Sequence, residues 1–258
     1  MRRLRGRTRS RMSAGGGLRI YHTSDLHDRR GFVPALRALR AYEPGLLFDS
    51  GDSLRGSQTV YRRREPIIAE MDAAGYDAQG VGNREFHYLF SLLAARARKM
   101  RHPLLCANLS DLRGRALPFR PYVDFAYGGF NVRVFALLVV QYAAGSAWER
   151  VFGWRFADPL QTARAIAATT PPDTTLVVLS HLGLRVDREL GGAVGRLDLI
   201  LGGHSHDTLP QPDTTTGVPI VHAGPYGAFV SRTELERDGA TGRGRVARFA
   251  LVPLLGAA

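Results

Sequence analysis

The chain has 258 residues, of which 45% are apolar and 22% charged, a make-up that suits one sizeable globular domain or two small ones and excludes collagen-like, disulfide-scaffold and wholly disordered chains. A formal net charge of +12 favours anionic ligands by steering, although Arg2, Arg3, Arg5, Arg7, Arg9 and Arg11 carry half of that excess and no acidic residue precedes Asp25. Cys106 is the single cysteine, which excludes an internal disulfide and a thiolate metal site, and no apolar run reaches the ~18 residues of a membrane-spanning helix.

Residues 1–17 read as a disordered basic tail, with Met12 as an alternative start and Gly15-Gly16-Gly17 as its boundary. The tail lacks the apolar segment of a secretory signal, so a cytoplasmic location without membrane attachment is expected. From Leu18 to Ala258 one domain is expected. Leu18–Thr23 is a predicted strand, Val33–Tyr42 a helix with Pro34 in its first turn, and Leu46–Asp49 a short buried strand. Pro66–Ala74 and Glu85–Lys99 have helical spacing, the second with Asn83 as N-cap. Leu104–Cys106 reads as a strand that buries the cysteine. Tyr122–Ala126 and Val132–Val140 form a predicted hairpin around Tyr127-Gly128-Gly129. Pro159–Ala168 is helical, Leu176–Leu179 and Leu199–Leu201 are buried strands flanking a helix near Arg188–Val194, and Val218–Val252 is mostly strand. Alternating β and α followed by β implies an α/β fold with mixed sheets covered by helices.

The polar residues of interest follow apolar strands, where open α/β sheets place their ligands. Five corners stand out: Asp25-Leu26-His27, Gly51-Asp52, Gly82-Asn83-Arg84-Glu85, Ser180-His181 and Gly202-Gly203-His204-Ser205-His206. Together they offer two carboxylates, one amide and four imidazoles, while His22, His102 and His222 read as structural or strand residues. Imidazole with carboxylate suits Mn²⁺, Zn²⁺ or Fe better than Ca²⁺. Seven donors exceed the needs of one tetrahedral ion and fit two ions about 3.5–4 Å apart that share a carboxylate.

In order along the chain, Tyr21–His27 (YHTSDLH), Phe48–Asp52 (FDSGD), Gly75–Glu85 (GYDAQGVGNRE), Leu179–Gly183 (LSHLG), Leu197–His206 (LDLILGGHSH) and Val221–Gly227 (VHAGPYG) resemble the calcineurin-like metallophosphoesterases, and more closely their 5′-nucleotidase branch. The resemblance runs from about Leu18 to about Leu254. It implies a four-layer α/β/β/α sandwich of two mixed sheets flanked by helices. It also implies two divalent metal ions, one held by Asp25, His27, Asp52 and His206, the other by Asp52, Asn83, His181 and His204, with Asp52 as the bridge. Three positions depart from the family pattern. Arg84 stands where the family usually has histidine, His87 where the nucleotidase branch often has aspartate, and Asp28 where a glycine is frequent. The chain also ends where the family's 5′-nucleotidases continue into a nucleotide-binding domain, so the catalytic domain alone is expected.

The implied activity is hydrolysis of a small phosphate ester, mono- or diester and including nucleotides, by a hydroxide that two metals activate. Arg84 cannot serve as an acid near neutral pH but can clamp phosphoryl oxygens, and with Asn83 it is the expected substrate contact. His87, three residues on and on the same expected helix face, is the expected proton donor. Arg55 and Arg62–Arg64 are candidate phosphate contacts or a solvated loop. Tyr142, Trp148, Phe152 and Trp154 are candidates for stacking a flat group or for core packing. Two alternatives remain open: a nuclease-type phosphodiesterase acting on nucleic acid, and a metal-retaining module that binds a phosphorylated ligand without turnover.

Overall fold

The structure, a computed structural model, describes residues 17–255, so the basic tail lies outside the described residues. In chain order the elements are β1 (Leu18–Thr23), α1 (Val33–Tyr42), β2 (Leu46–Asp49), α2 (Pro66–Ala74), β3 (Ala78–Gly80), α3 (Phe90–Ala97), β4 (Leu104–Leu105) and β5 (Leu109–Asp111). There follow β6 (Tyr122–Tyr127), β7 (Phe130–Leu138), α4 (Ala147–Phe152), β8 (Trp154–Phe156), α5 (Pro159–Thr169), β9 (Thr175–His181) and α6 (Leu184–Ala193). The chain closes with β10 (Leu199–Gly202), β11 (Ile220–His222), β12 (Phe229–Arg237) and β13 (Gly244–Pro253).

Two mixed sheets face each other. One has the order β13-β12-β1-β2-β3-β4, the other β11-β10-β9-β7-β6, and β5 with β8 forms a small third ladder. In the first sheet β1 to β4 run parallel and β12 is antiparallel to β1; in the second β7, β9, β10 and β11 run parallel. The period-2 alternation of each strand sorts its side chains between layers. Leu18, Ile20, Leu46 and Phe48 meet Val132, Val134, Val177, Leu179, Leu199 and Leu201 in a core between the sheets. Their neighbours point outward: Tyr21 and Leu47 pack with Leu36, Ile67 and Leu93 of the helices on one side. Phe135, Val178 and Ile200 pack with Ala163, Ile166 and Leu190 on the other. This is the expected α/β/β/α sandwich. The β6–β7 hairpin turns at Gly128 and Gly129, whose φ of 57° and 84° are the double left-handed geometry of a two-residue hairpin turn.

One expected element differs in a way that matters for the site. The helix predicted from Glu85 starts only at Phe90. Asn83–Glu85 form a turn closed by Phe86 N–H donating to the Gly82 carbonyl at 2.9 Å. The carbonyls of Glu85 and Phe86 accept from Arg96 Nη1 at 3.2 and 2.7 Å. Leu89 N–H donates to His87 Nδ1 at 3.0 Å. Helical pairing through 85–89 is thereby diverted to side chains. Asn83 is not an N-cap, and Arg84 and His87 do not share a helix face.

Candidate metal centre

All five corners lie just beyond the C-terminal ends of parallel strands: Asp25 and His27 after β1, Asp52 after β2, Asn83 after β3, His181 at the end of β9, and His204 and His206 after β10. Backbone contacts bring the two sheets together there. His181 Nδ1–H donates to the Ser50 carbonyl at 2.9 Å, Ser50 Oγ–H to the Leu201 carbonyl at 2.7 Å, and His204 N–H to Asp25 Oδ2 at 3.0 Å. Gly203 is required at its place, since a Cβ would stand 2.9 Å from Asp25 Oδ2 and 3.0 Å from Ser24 Cβ.

Ligand atoms converge in two overlapping groups, Asp25 with His27 and His206, and Asp25 with Asp52 and His181, each group within 4.8 Å. The Nε2 atoms of His27 and His206 face each other at 2.9 Å, with Asp25 Oδ1 at 3.9 and 3.6 Å from them. His181 Nε2 stands 3.3 Å from Asp52 Oδ1. Because Nδ1 of His181 carries the proton given to Ser50, neutral His181 aims an Nε2 lone pair at a carboxylate oxygen. That buried nitrogen has no hydrogen-bond partner. Such a pair is repulsive without a positive charge between them, and the donor set of carboxylates and imidazoles fits a divalent cation there.

The electrostatics have the same cause. Burial opposes charge on His181, but Asp52 and, beyond it, Asp25 and Glu85 push its pKa up to about 9. Burial raises and His181 lowers the Asp52 carboxyl, and the net effect holds it well below the usual carboxylate range. His27 is depressed to about 4, first by burial and then by the Arg84 charge, so its imidazole is unprotonated at neutral pH.

The backbone is strained at these same corners. Among the described residues, seven non-glycines have left-handed φ, and five are Asp25, His27, Asp52, His204 and His206, with φ of 52°, 48°, 59°, 75° and 60°. Asp28, at 61°, is a sixth, and its conformation accounts for the glycine the resembled family favours there. Strain of this kind costs of order 1–3 kcal/mol per residue and gathers where a site over-determines its geometry.

The other expected residues are placed as follows. The His204 ring meets His181 edge-on at 5.0 Å but joins neither converging group. Asn83 Oδ1 accepts from Gln141 Nε2 at 3.1 Å. Arg84 N–H donates to Asp52 Oδ1 at 2.8 Å, its Nε lies 4.0 Å from Asp52 Oδ2, and its Nη1 reaches the carbonyls of Leu54, Arg55 and Gly56 at 3.3–3.5 Å. The guanidinium is therefore anchored on the loop after Asp52 and remains about a third exposed beside the ligands. His87 is buried, its Nδ1 is occupied by Leu89 N–H, and burial depresses it to about 4. Trp154 is fully buried and donates from Nε1 to the Tyr88 carbonyl at 2.9 Å, whereas Trp148 is exposed and stacks on Phe152. Arg55 and Arg62–Arg64 are exposed. His22, His102 and Cys106 are buried, and His222 pairs with buried Asp187 at 2.7 Å.

Two contributors were missed in the sequence. Glu85 is wholly buried; its carboxylate accepts from the backbone N–H of Asp52 (2.7 Å), Gly82 (3.0 Å), Ser53 (3.0 Å) and Leu54 (3.2 Å) and from Gln79 Nε2 (3.2 Å). It ties the second corner to the third. Gln141 holds Asn83. Glu85 stood in a quoted motif but its role depends on backbone donors from a distant loop, which no spacing reveals.

The folded chain resembles solved structures across nearly its whole length. Calcineurin-like phosphoesterase YfkN from Bacillus subtilis superposes with a TM-score of 0.74 at 20% identity, covering 93% of this chain and 91% of that one. A 5′-nucleotidase precursor from Thermus thermophilus gives 0.73 at 24% identity, covering 93% and 54%. The chain has the calcineurin-like phosphoesterase fold. By sequence it is 27% identical to a 5′-nucleotidase of Vibrio vulnificus over 92% of this chain, and 27% identical to the uncharacterized metallophosphoesterase YunD of Bacillus subtilis over 86%. Protein UshA of Escherichia coli is 25% identical over 91% of this chain. The chain spans about half the length of these curated relatives. No family model matches. No helix among the described residues is long and apolar enough to cross a membrane.

Proposed function

We propose that this chain is a metal-dependent phosphoesterase that hydrolyses phosphate esters, mono- or diester, with nucleotides inside that class. The observation that carries the reading is the His181–Asp52 contact, an orphaned imidazole nitrogen facing a carboxylate between two groups of converging ligand atoms. The proposed ligands are Asp25, His27, Asp52 and His206 for one ion and Asp52, Asn83, His181 and His204 for the other, and Mn²⁺, Zn²⁺ or Fe suits these donors. Bound there, the ions would supply Lewis-acid polarisation of the phosphoryl group and a water nucleophile of lowered pKa.

The chain's own residues do the rest. Ser50 fixes the His181 tautomer through its carbonyl, and Glu85 fixes the backbone on both sides of Asp52. Arg84, held by three carbonyls, presents a permanent cation to phosphoryl oxygens as they gain charge. His87 is a weak candidate for the proton donor: at a pKa of about 4 it is neutral at physiological pH. Proton delivery to the leaving group is therefore assigned to solvent.

The test is a panel of aryl monoesters, diesters, nucleotides and single-stranded DNA on metal-loaded protein, with Asp52→Asn beside it. Turnover of an ester by the wild type, together with loss of most turnover and weakened occupancy of both ions in Asp52→Asn, is expected. Full occupancy with unchanged turnover in that variant refutes the assignment. Stoichiometric ligand binding without turnover by the wild type would favour the non-catalytic module.

A further inference from the structure

We propose that Tyr226 is a substrate-contacting residue, the wall against which a ring carried on the ester oxygen packs; this rests on the phosphoesterase reading. Tyr226 belongs to the Val221–Gly227 segment, whose other residues the centre does not use. It sits at φ 60° between Gly224 at 80° and Gly227 at 64°, and its N–H donates to the Asp25 carbonyl at 2.9 Å. A left-handed backbone is a genuine outlier for a bulky side chain. Here it is not repaid by burial, since Tyr226 is 50% exposed while the preceding Ala223 is fully buried.

The bend instead brings the ring to two of the proposed ligands. Its centroid lies 5.3 Å from that of His27, tilted by 47°, and 5.7 Å from that of His206, at 74°. These are contact distances for aromatic pairs, and the imidazoles hold one side of the phenol in place. The exposed part of the ring then borders the space beside His27 and His206. A phosphoryl group bound to a cation that Asp25, His27 and His206 would hold lies beside that ring, with the group on its ester oxygen able to reach it. What meets Tyr226 is therefore the first group on that oxygen, and a flat ring face matches it. The substrate class is an ester whose ester oxygen is borne directly by an aromatic or sugar ring, in preference to a small open-chain alkyl ester.

The test uses non-hydrolysable phosphonates on the manganese-loaded full chain, so that binding is read apart from turnover. Phenylphosphonate and methylphosphonate are titrated calorimetrically into the wild type, Tyr226→Phe and Tyr226→Asn. Asparagine tolerates the left-handed backbone, so the ring is removed without added strain. Metal content and thermal melting are measured on all three. The wild type should prefer phenylphosphonate. Tyr226→Phe should keep that preference, and Tyr226→Asn should lose roughly three- to tenfold of it with metal content unchanged. An unchanged preference in Tyr226→Asn overturns the proposal, as does equal weakening of both ligands accompanied by metal loss, which marks a structural role. Failure of the wild type to bind either phosphonate overturns the phosphoesterase reading, and this inference with it.

Discussion

Glu85→Gln should separate what holds the centre from what reacts in it. The carboxylate is wholly buried and accepts five N–H groups, four of them from the backbone of residues 52–54 and 82. Burial and the Asp52 charge raise its pKa, and the backbone donors from Asp52 and Gly82 work against that rise. Glutamine is nearly isosteric but turns one oxygen into a donor. Whichever way it lies, at least two N–H groups then face an NH₂. Hydrogen bonds to a charged group contribute about 1.5–3 kcal/mol each, and a buried orphan costs about 1–3 kcal/mol. Allowing for relaxation, a loss of about 3–5 kcal/mol is expected, or a fall in Tm of roughly 6–20 °C for a domain this size. Because Gly82 packs directly on Asp52, where even a Cβ would sit 2.5 Å from Oδ1, the shift should reach the carboxylate proposed as the bridge. Metal affinity should fall about 10–100-fold, as for other residues that orient ligands. Differential scanning calorimetry of the apoprotein and calorimetric Mn²⁺ titration measure the two effects. A Tm within a degree of wild type and unaltered metal affinity would refute this account of Glu85.

Arg84→Ala should lower kcat about 10²–10³-fold while metal affinity changes far less, and Arg84→Lys should recover only part because an ammonium cannot fork onto two oxygens. Steady-state kinetics beside metal titration checks both, and near-wild-type kcat in Arg84→Ala reduces Arg84 to a clamp on the 54–56 carbonyls. His102 is buried with Nε2 on Gln79 Oε1 at 2.9 Å and is depressed from 6.5 to about 4 by burial, against a raising contribution from Asp72. The unfolded chain therefore binds its proton more readily than the folded one, and stability contributed by neutral His102 is lost as pH falls from 6.5 towards 4, at about 1.4 kcal/mol per pH unit. His102→Gln keeps a donor for Gln79 and should lose about 2–3 kcal/mol less than wild type between pH 7 and 4.5 in chemical denaturation; parallel pH dependences would refute this.

The layers were legible because their cause is local. Strands such as β7, β9 and β10 are apolar on both faces, as sheets covered on both sides require, and the Gly128-Gly129 pair announces its own turn. The corners stood out because polar residues follow apolar strands there, three of them, Asp52, Asn83 and His204, directly after a glycine. What was not legible is set by distant partners. The stretch 85–89 has helical composition, yet Arg96, a buried guanidinium from α3, takes the carbonyls a helix would need. The helix α4 had a signal that was passed over: Ser146 caps Glu149 N–H at 3.3 Å in a Ser-x-x-Glu pattern. The three-residue strands β3, β5 and β8 are too short to show any period.

The arrangement also explains why so much strain and so many buried carboxylates can share one corner. Asp25, Asp49, Asp52 and Glu85 are all less than a tenth exposed. Four buried charges of one sign would not coexist unless each were answered. Glu85 is answered by backbone N–H groups. Asp49, raised to about 8 by burial, carries its proton at neutral pH while Thr23, Ser53 and Gly51 donate to it. Asp52 faces His181 Nε2 and raises the imidazole's pKa to about 9, so the contact calls for a positive charge there, a proton or a cation. Asp25 receives His204 N–H and otherwise faces the imidazoles of His27 and His206 and the Asp52 carboxylate. Asp25 and Asp52 each accept one backbone N–H, from His204 and Arg84, against the four that Glu85 accepts, and these two least-compensated carboxylates are the two proposed as ligands. A cation seated between Asp52 and His181 would take the place of such a proton, so metal uptake should be accompanied by proton release. Cations bound there would offset the polar cost of folding this corner, and the left-handed backbones at Asp25, His27, Asp52, His204 and His206 hold the donors that would receive them.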